Sequence, residues 1–232
     1  MSLASLRNPA RPGKRSRTLD DILIAGQRLL MEHPASALSI SQVAAEAGIV
    51  QGSFYNYFDS VAALVDEVGH LLLTRTAERL RAAAEGFDSP AEIFSAKTRQ
   101  SFRIFAQSPG VGRILFDIGL PVDRLPRLLK SDLGADITEG FRRGEFQAEN
   151  RAVAGSLLSG AILGLLLDLY RKRLPLSAIE PATAELLQML GLPRTRAKRI
   201  AYAEMSFCAP LELPQSWQSQ SPLAHETGAR KR

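Results

Sequence analysis

The sequence is poor in the residues that form disulfides, metal sites and catalytic centres. Its 232 residues include one cysteine, Cys208, and three histidines. A single cysteine excludes an intramolecular disulfide, and no paired-cysteine or HxxxH spacing indicates a metal site. The histidines His33, His70 and His225 are scattered, and no nucleophile-elbow or glycine-rich phosphate-loop motif occurs. We therefore expect a protein that is not an enzyme and that uses no cofactor and no metal.

Long hydrophobic runs are also missing. The most apolar stretch, residues 152–167, is shorter than the ~20 residues that a membrane helix needs, and glycine and serine interrupt it. Residues 1–17 are basic and contain no apolar segment of the kind found in secretory signals. We expect a cytoplasmic protein with no membrane partner.

Positive charge is scarce in residues 18–60. The chain has a net charge of +5, 45% hydrophobic residues and 23% charged residues, which is typical of a globular protein. Residues 18–60, however, hold one base, Arg28, against five acids, whereas residues 1–17 hold five bases and no acid. We expect residues 1–17 to form a disordered basic arm, and a solvated tail without a function is the alternative.

The most informative pattern covers residues 39–58 and consists of two short helices around a glycine. Ser39 and Gln42 have the spacing of a capping box, and apolar residues follow at helical spacing. Gly48 stands where a helix end requires a left-handed conformation. A second helix should carry residues 53–58, so the pattern predicts a helix-turn-helix.

Residues 47–49 (AGI) and 52–58 (GSFYNYF) resemble the end of the DNA-binding domain of TetR-family repressors. Residues 22–30 are similar to the first helix of that domain, and the likeness covers about residues 18–65. Thr18 is the expected cap of this helix, with Asp20 and Asp21 in its first turn. The resemblance implies an all-α protein with an N-terminal three-helix helix-turn-helix head and a C-terminal helical body for ligand binding and dimerisation. It also implies a dimer that binds a pseudo-palindromic operator in double-stranded DNA.

Two positions depart from the family pattern. Val50 stands where serine or threonine usually caps the recognition helix, and valine cannot accept that hydrogen bond. Val61 stands where lysine usually reaches a DNA phosphate. The missing lysine repeats the shortage of bases, so we expect the basic arm to supply the phosphate contacts.

The predicted DNA contacts fall into three groups with different chemistry. Amide side chains suit bidentate contacts with adenine, hydroxyl groups and cations suit phosphates, and a glycine lets the backbone come close. The predicted DNA-binding residues are Lys14, Arg15 and Arg17 of the arm, Ser39 and Ser41 of the first motif helix, and Gln51, Gly52, Ser53, Tyr55, Asn56 and Tyr57 of the second. Ser39 can instead be a cap only. Phe54 and Phe58 are assigned to the core because they are apolar and four residues apart.

Seven further helices are predicted from periodicity, caps and stops. They cover about residues 60–85, 90–107, 109–119, 123–143, 149–172, 177–190 and 194–205, with the helix at 123–143 interrupted near Pro126 and Gly134. Ser60 and Ser89 are the expected caps of the helices at 60 and 90, and no alternating pattern predicts a strand. The predicted division is an arm at 1–17, a DNA-binding domain at 18–64, a regulatory and dimerisation domain at 65–207 and a disordered tail at 208–232.

Small residues recur every four positions in the helix predicted at 149–172. Ser156, Gly160 and Gly164 would let another helix approach closely, and three small residues on one face imply a compensating contact. The resemblance implies a four-helix bundle between two subunits at this place, so these residues are the predicted dimer interface. Packing within one chain is the alternative.

A cavity in the helical body would suit an apolar small-molecule ligand. The candidate lining residues are His70, Phe102, Phe105, Phe116 and Tyr170, and an ordinary core role is the alternative for each. The sequence therefore predicts a TetR-like one-component transcriptional regulator, a repressor released from DNA by its ligand. The alternative is a helical interaction protein of the same fold that has lost specific DNA binding.

Overall fold

A computed structural model describes residues 14–117, 124–218 and 225–226, and almost all regular structure in them is helical. The helices are α1 Lys14–Glu32, α2 Ile40–Glu46, α3 Gln51–Phe54, α4 Val61–Ala83, α5 Pro90–Gln107, α6 Pro109–Gly112, α7 Arg124–Arg142, α8 Arg151–Tyr170, α9 Ile179–Met189 and α10 Arg194–Ala201. Single turns of 3-10 helix cover Ala35–Ala37 and Leu176–Ala178, and a π-helical segment covers Arg113–Asp117. The prediction of an all-α protein is confirmed.

The described residues divide into two compact units. The first, called the head, contains residues 14–68 together with residues 214–218. The second, called the body, contains residues 69–117, 124–213 and 225–226. The C-terminal residues 214–218 thus belong to the same unit as the N-terminal helices.

The core of the head forms where the apolar faces of its short helices meet. Ile22 and Leu23 of α1 and Phe54 of α3 are completely buried, and Phe58 is 8% exposed. The rings of Phe54 and Phe58 lie 5.7 Å apart, so their predicted core role is confirmed. Gly26 lets α1 pack against Leu64, since a Cβ atom at Gly26 would lie 3.1 Å from the Leu64 side chain.

Helix α1 begins earlier than predicted. Thr18 was the expected cap and residues 14–17 were expected in the disordered arm, but α1 starts at Lys14. Lysine and arginine are good helix formers, and Pro12-Gly13 immediately before them favours a break there. Arg15 and Arg17 are therefore exposed residues of a helical first turn. The rest of the predicted arm, residues 1–13, lies outside the described residues.

Helix α5 is the centre of the body and contacts α7, α8, α9 and α10. Phe94 and Phe102 are fully buried on it. The largely buried Lys97 forms an ion pair of 2.6 Å with Asp136 of α7. Helix α7 runs unbroken from Arg124 to Arg142, so the interruptions predicted near Pro126 and Gly134 are absent from it.

Two helix starts were predicted from serine caps, and one prediction is wrong. The Ser60 hydroxyl accepts a hydrogen bond of 3.1 Å from the Ala63 backbone N–H, which confirms it as a cap. Ser89 makes no side-chain cap bond, although Pro90 begins α5 as predicted. The Ser89 hydroxyl instead donates to the Glu145 carboxylate at 2.6 Å, because a charged acceptor competes well for it.

The C-terminal region is more ordered than predicted. Residues 208–232 were expected to be disordered, yet residues 208–218 are described and several are buried, including Leu211 and Gln215. Strands β1 Phe207–Cys208 and β2 His225–Glu226 pair antiparallel, whereas no strand was predicted. Such a short pairing carries no periodic pattern that a sequence could reveal.

Among the described residues, one helix is long and apolar enough to cross a membrane. This is α8, with a mean hydropathy of 1.9 and 22% of its apolar window buried. A single helix of this kind is weak evidence for a membrane protein, because helices of soluble proteins can have the same length and composition.

Candidate nucleic-acid interface

The turn between α2 and α3 is built as the sequence predicts. The Ser39 hydroxyl accepts a hydrogen bond of 3.3 Å from the Gln42 backbone N–H. In return, the Ser39 backbone N–H donates to the Gln42 side chain at 2.9 Å, which completes the capping box. Gly48 has φ +68, and the Ile49 N–H donates to the Ala44 carbonyl at 2.9 Å to close the helix end.

Helix α3 is shorter than predicted and covers only Gln51–Phe54. Val50 begins it with no side-chain cap bond, as its residue type predicts. Tyr55, Asn56 and Tyr57 were expected within the helix but form a turn after it. The Tyr57 N–H donates to the Phe54 carbonyl at 2.9 Å, so the chain continues in the tighter three-residue pattern common at helix ends.

The predicted DNA-contacting residues of α3 and its following turn lie on an exposed surface. Gln51, Gly52 and Asn56 are exposed, Tyr55 is 53% exposed, and Ser53 and Tyr57 are half-buried. Nothing lies within 4 Å of a Cβ atom added at Gly52, so the surface at this glycine is open. Buried Phe54 holds α3 on the head, which leaves amide and hydroxyl groups facing outward. We call Gln51, Gly52, Tyr55 and Asn56 the recognition surface.

The two serines of α2 lie beside each other. The hydroxyl oxygens of Ser39 and Ser41 are 3.0 Å apart, and both residues are exposed. The Ser39 hydroxyl also donates to the Gln42 side chain at 2.8 Å, so it is committed to the cap. Ser41 is the better placed of the two to reach a phosphate.

The basic first turn of α1 shares a cleft with the turn after α3. The cleft has a volume of about 570 Å³ and is lined by Arg15, Ser16, Leu19, Asn56, Tyr57, Phe58 and Glu67. The structure thus brings Arg15 together with the predicted DNA contacts Asn56 and Tyr57. Arg17 is exposed on the same turn, and the side chain of Lys14 lies outside the described part of the chain.

Asp20 and Glu46, which are among the five acids in residues 18–60, make contacts within the head. Asp20 is 5% exposed and accepts hydrogen bonds from the backbone N–H groups of Trp217 at 2.9 Å and Gln218 at 3.2 Å. Glu46 lies 3.3 Å from Arg28 in an exposed ion pair. Sequence reasoning missed the role of Asp20, because it treated this residue as a first-turn acid of α1 and the C-terminal tail as disordered.

In the body, the structure brings three of the five candidate ligand-pocket residues together. The ring centroids of Phe105 and Phe116 are 5.4 Å apart, and Phe116 stacks on Tyr170 at 5.8 Å. Phe102 is fully buried on the same helix as Phe105. His70 is exposed on α4, which does not fit its predicted place in an enclosed apolar pocket.

Tyr170 is held in place from two sides. Its hydroxyl donates to the Asp117 carboxylate at 2.5 Å, while Gly112 lies directly against its ring. Burial and then the hydrogen bond to Asp117 raise the pKa of Tyr170 to about 12, because both disfavour the phenolate. The side chain therefore stays neutral at physiological pH.

The predicted dimer residues lie on an exposed stripe of α8. Val153 is 52% exposed and Leu157 is 60% exposed, and Ser156, Gly160 and Gly164 are exposed on the same side of the helix. A Cβ atom added at Gly160 or Gly164 would meet nothing within 4 Å in the described part of the chain. The opposite side of α8 is buried through Leu158, Ile162, Leu166 and Leu169.

The outer stripe of α8 therefore has the composition of a helix-packing surface that no described part of the same chain covers. We call Val153, Leu157, Gly160 and Gly164 the outer face of α8. Ser156 also borders a groove of about 230 Å³ between α7 and α8, which residues such as Leu133 and Ile137 line on the α7 side.

Comparison with known proteins gives the same picture for both parts of the chain. Residues 22–68 match the family of bacterial regulatory proteins called the tetR family. Residues 89–203 match the tetracyclin repressor-like C-terminal domain. An uncharacterised HTH-type transcriptional regulator of Bacillus subtilis (strain 168), YvdT, is 33% identical over 112 residues, which are 48% of this chain and 57% of that protein.

Solved structures show the same fold at low sequence identity. RolR in complex with the ligand resorcinol is 23% identical, with a TM-score of 0.66 over 82% of this chain and 96% of that chain. The fatty acid degradation regulator FadR from Bacillus halodurans is 18% identical, with a TM-score of 0.62 over 76% of this chain and 96% of that chain. The family consists of DNA-binding regulators and not of enzymes. Both family matches, the capped helix-turn-helix and the helical body agree, so the chain belongs to the TetR family of helix-turn-helix transcriptional regulators.

Proposed function

We propose that this regulator is a cytoplasmic repressor that binds a pseudo-palindromic operator as a homodimer and leaves it when an apolar small molecule binds the body. The observation that carries the proposal is the recognition surface, where exposed amide and hydroxyl groups surround an open glycine. A buried residue, Phe54, fixes the short helix from behind, so little ordering is needed on binding.

Each side chain of the head has a role suited to its chemistry. Gln51 and Asn56 would form bidentate hydrogen bonds with adenine in the major groove. Gly52 would let the backbone of α3 approach the bases, because the space around it is open. Ser41, Ser53, Tyr55 and Tyr57 would contact phosphates through their hydroxyl groups.

Arginines at the first turn of α1 would supply the charge that α2 and α3 lack. Arg15 lines the same cleft as Asn56, so its guanidinium is close to the surface that would face DNA. Arg17 is exposed on the same turn of α1. Each phosphate contact of this kind makes affinity depend on salt concentration.

The outer face of α8 supports a homodimer. An exposed apolar helix face with open glycines is a surface on which a second helix can pack closely. Two copies joined by a twofold axis would present two recognition surfaces to half-sites ~34–36 Å apart, or a multiple of this distance. The symmetry of the protein would then be matched by the symmetry of the operator.

In this proposal the apolar ligand binds beside the rings of Phe105, Phe116 and Tyr170. Aromatic rings attract one another when their centroids lie about 4.5–7 Å apart, and Phe116 of this cluster belongs to the π-helical segment Arg113–Asp117. The solved RolR structure contains resorcinol, which is a small aromatic ring. A ligand that bound one state of the body more tightly would shift the population away from the DNA-binding state.

A second candidate is a helical interaction protein of the same fold that no longer binds a specific operator. The observation in its favour is the excess of acids in residues 18–60, where the one base, Arg28, already pairs with Glu46. A gel shift distinguishes this interaction protein from the repressor. A gel shift on the DNA upstream of its own gene should give a specific band that weakens with salt for the repressor, and no band beyond that of scrambled DNA for the interaction protein.

A further inference from the structure

The C-terminal residues 214–218 make an unusual set of long-range bonds to α1. The Gln27 side chain donates to the Gln215 carbonyl at 2.7 Å and accepts from the Gln215 backbone N–H at 2.7 Å. Gln27 is completely buried and Gln215 is 5% exposed. The amide side chain thus pairs with the main chain of the segment on both its donor and acceptor sides, as a neighbouring strand would.

A second anchor lies about two turns towards the N-terminus of α1. The carboxylate of Asp20 accepts from the consecutive backbone N–H groups of Trp217 and Gln218, one oxygen atom for each. Charge-assisted bonds to backbone N–H groups are among the stronger hydrogen bonds in proteins. Asp20 is therefore a fixed point for the end of the segment and not a free surface acid.

Two side chains of the segment complete the attachment. The indole N–H of Trp217 donates to the Glu67 carboxylate of α4 at 3.2 Å. The Gln218 side-chain amide donates to the Ser16 hydroxyl at 3.1 Å. Ser16 and Glu67 both line the cleft that also contains Arg15, Asn56 and Tyr57.

These contacts follow the helical repeat of α1. Ser16, Asp20 and Gln27 are separated by four and seven residues, so they lie on one face of the helix. That face also carries the apolar Leu23 and Ile24. Its polar groups Asp20 and Gln27 are buried, which is unfavourable unless their hydrogen bonds are satisfied. The main chain of segment 214–218 satisfies both of these buried groups.

We propose that residues 214–218, here called the C-terminal clip, are part of the DNA-binding head and hold the basic first turn of α1 in its DNA-contacting position. Asp20 and Gln27 are positioning residues in this account, because they hold the clip and do not touch DNA. The clip fixes Ser16, and Ser16 is next to Arg15 in the cleft beside the recognition surface. The proposal rests on the proposed function, because the position of Arg15 and Arg17 matters only if the head binds DNA.

Adjacent aspartates provide a matched pair of variants. Asp20→Asn and Asp21→Asn remove the same charge from the same turn, but Asp21 is exposed whereas Asp20 binds the clip. An asparagine at 20 keeps the shape of the side chain yet turns an N–H group towards the clip. We expect Asp20→Asn to weaken DNA binding roughly tenfold, because the first turn must then be ordered on binding. Asp21→Asn should leave binding unchanged or tighten it about twofold, since it removes a repulsive charge.

The chain contains its own probe of the clip. Trp217 is its one tryptophan, and it is half-buried against the head. Acrylamide should quench the fluorescence of the Asp20→Asn protein more strongly than that of the natural chain or of Asp21→Asn. This measurement needs no DNA, so it tests whether the clip is attached independently of what the head binds.

A second pair of variants removes the clip itself. A chain ending after Gln218 keeps the clip, and a chain ending after Leu213 lacks it. Binding is measured at one fixed salt concentration to a duplex that the full-length protein selects from a random-sequence pool. The chain ending after Gln218 should bind like the full-length protein, and the chain ending after Leu213 should bind roughly tenfold more weakly.

The outcomes separate the two proposals. If the full-length protein selects no duplex, the proposed function is wrong, while tryptophan quenching still shows whether Asp20 holds the clip. If a duplex is selected but Asp20→Asn binds it as tightly as Asp21→Asn, and both shortened chains bind alike, the clip has no part in DNA binding. Weaker binding confined to the two clip-disrupting proteins, with stronger quenching in Asp20→Asn, supports the proposal.

Discussion

The recognition surface of the head and the outer face of α8 in the body are both exposed, and they differ in chemistry. The first presents amides and a phenol around Gly52, and the second presents aliphatic side chains around Gly160 and Gly164. Each is backed by buried apolar residues, such as Phe54 in the head and Leu158 in the body. The same device, an open glycine on a firmly anchored helix, therefore suits base edges in one unit and a second apolar helix in the other.

Other glycines in the body are occupied rather than open. A Cβ atom at Gly112 would lie 2.2 Å from the Tyr170 ring, and one at Gly140 would lie 2.2 Å from the Phe146 ring. These glycines make room for neighbours inside the chain. Gly112 and Gly140 therefore serve the core, whereas Gly52, Gly160 and Gly164 lie on the two surfaces for which we propose a partner.

Loss of the dimer should have the largest effect. Leu157→Glu places a charge on the outer face of α8, where a partner helix would bury it at high cost. We expect a monomer by sedimentation at micromolar concentration and operator binding weakened by at least ~100-fold, because the second head no longer adds its contacts. Leu176→Glu is the matched control, since Leu176 is also exposed, at 48%, but lies outside α8. A Leu157→Glu protein that remained dimeric would place the interface elsewhere.

Loss of a base contact should have the next largest effect and should change specificity. Gln51→Ala should weaken operator binding about 5- to 150-fold, which corresponds to the ~1–3 kcal/mol of a bidentate base contact. Binding to a scrambled duplex should hardly change. Arg17→Ala provides the contrast, because loss of a phosphate contact should weaken binding to both duplexes equally and lower the salt slope by about one. Equal losses on both duplexes for Gln51→Ala would contradict its role in reading bases.

Glycine-to-alanine substitutions test the two surfaces directly. Gly52→Ala and Gly164→Ala should each stabilise the isolated chain by up to about 1 kcal/mol, because alanine favours helix and meets no atom there. Gly52→Ala should nevertheless weaken DNA binding, and Gly164→Ala should weaken the dimer. Gly112→Ala should destabilise the chain by roughly 1–3 kcal/mol, since its methyl group would overlap the Tyr170 ring. Denaturant unfolding measures the stability of all three variants. A gel shift measures DNA binding by Gly52→Ala, and sedimentation measures the dimer of Gly164→Ala.

The smallest expected effect is the pH dependence of stability that arises from Tyr170 in the body. Because the folded-state pKa of Tyr170 is raised to about 12 from 10.0, its contribution to stability is present below pH 10 and lost as the pH rises towards 12. Titration of phenolate absorbance should show a late step that is absent in Tyr170→Phe. The free energy of unfolding of Tyr170→Phe should also vary less between pH 10 and pH 12 than that of the natural chain. If Tyr170→Phe still showed the late step, that step would belong to another tyrosine.

Local features of the two surfaces were predictable from the sequence because local sequence determines them. The capping box of Ser39, the left-handed Gly48, the missing cap at Val50 and the buried Phe54 each depend on residues a few positions apart. The small residues of α8 also stood out, since their spacing fixes a helix face. What these surfaces bind remains a proposal, because spacing alone does not name a partner.

Features that depend on distant residues could not be predicted. The bond between Gln27 and Gln215 joins residues 188 positions apart, and that between Asp20 and Trp217 joins residues 197 apart. A polar tail rich in proline, serine and glutamine resembles a disordered segment in composition, so nothing local marked residues 214–218 as ordered. The first turn of α1 also makes one such distant contact, in which the Gln218 side chain bonds to Ser16.

The most direct test of the whole account is to let the full-length protein select binders from a random pool of double-stranded DNA at low ionic strength, and to measure how many protomers bind each selected duplex. We expect an enriched pseudo-palindrome whose half-sites are about one helical turn apart, or a multiple of it, with one protomer for each half-site. A pool that emerges without any enriched sequence would contradict the claim that the recognition surface reads DNA.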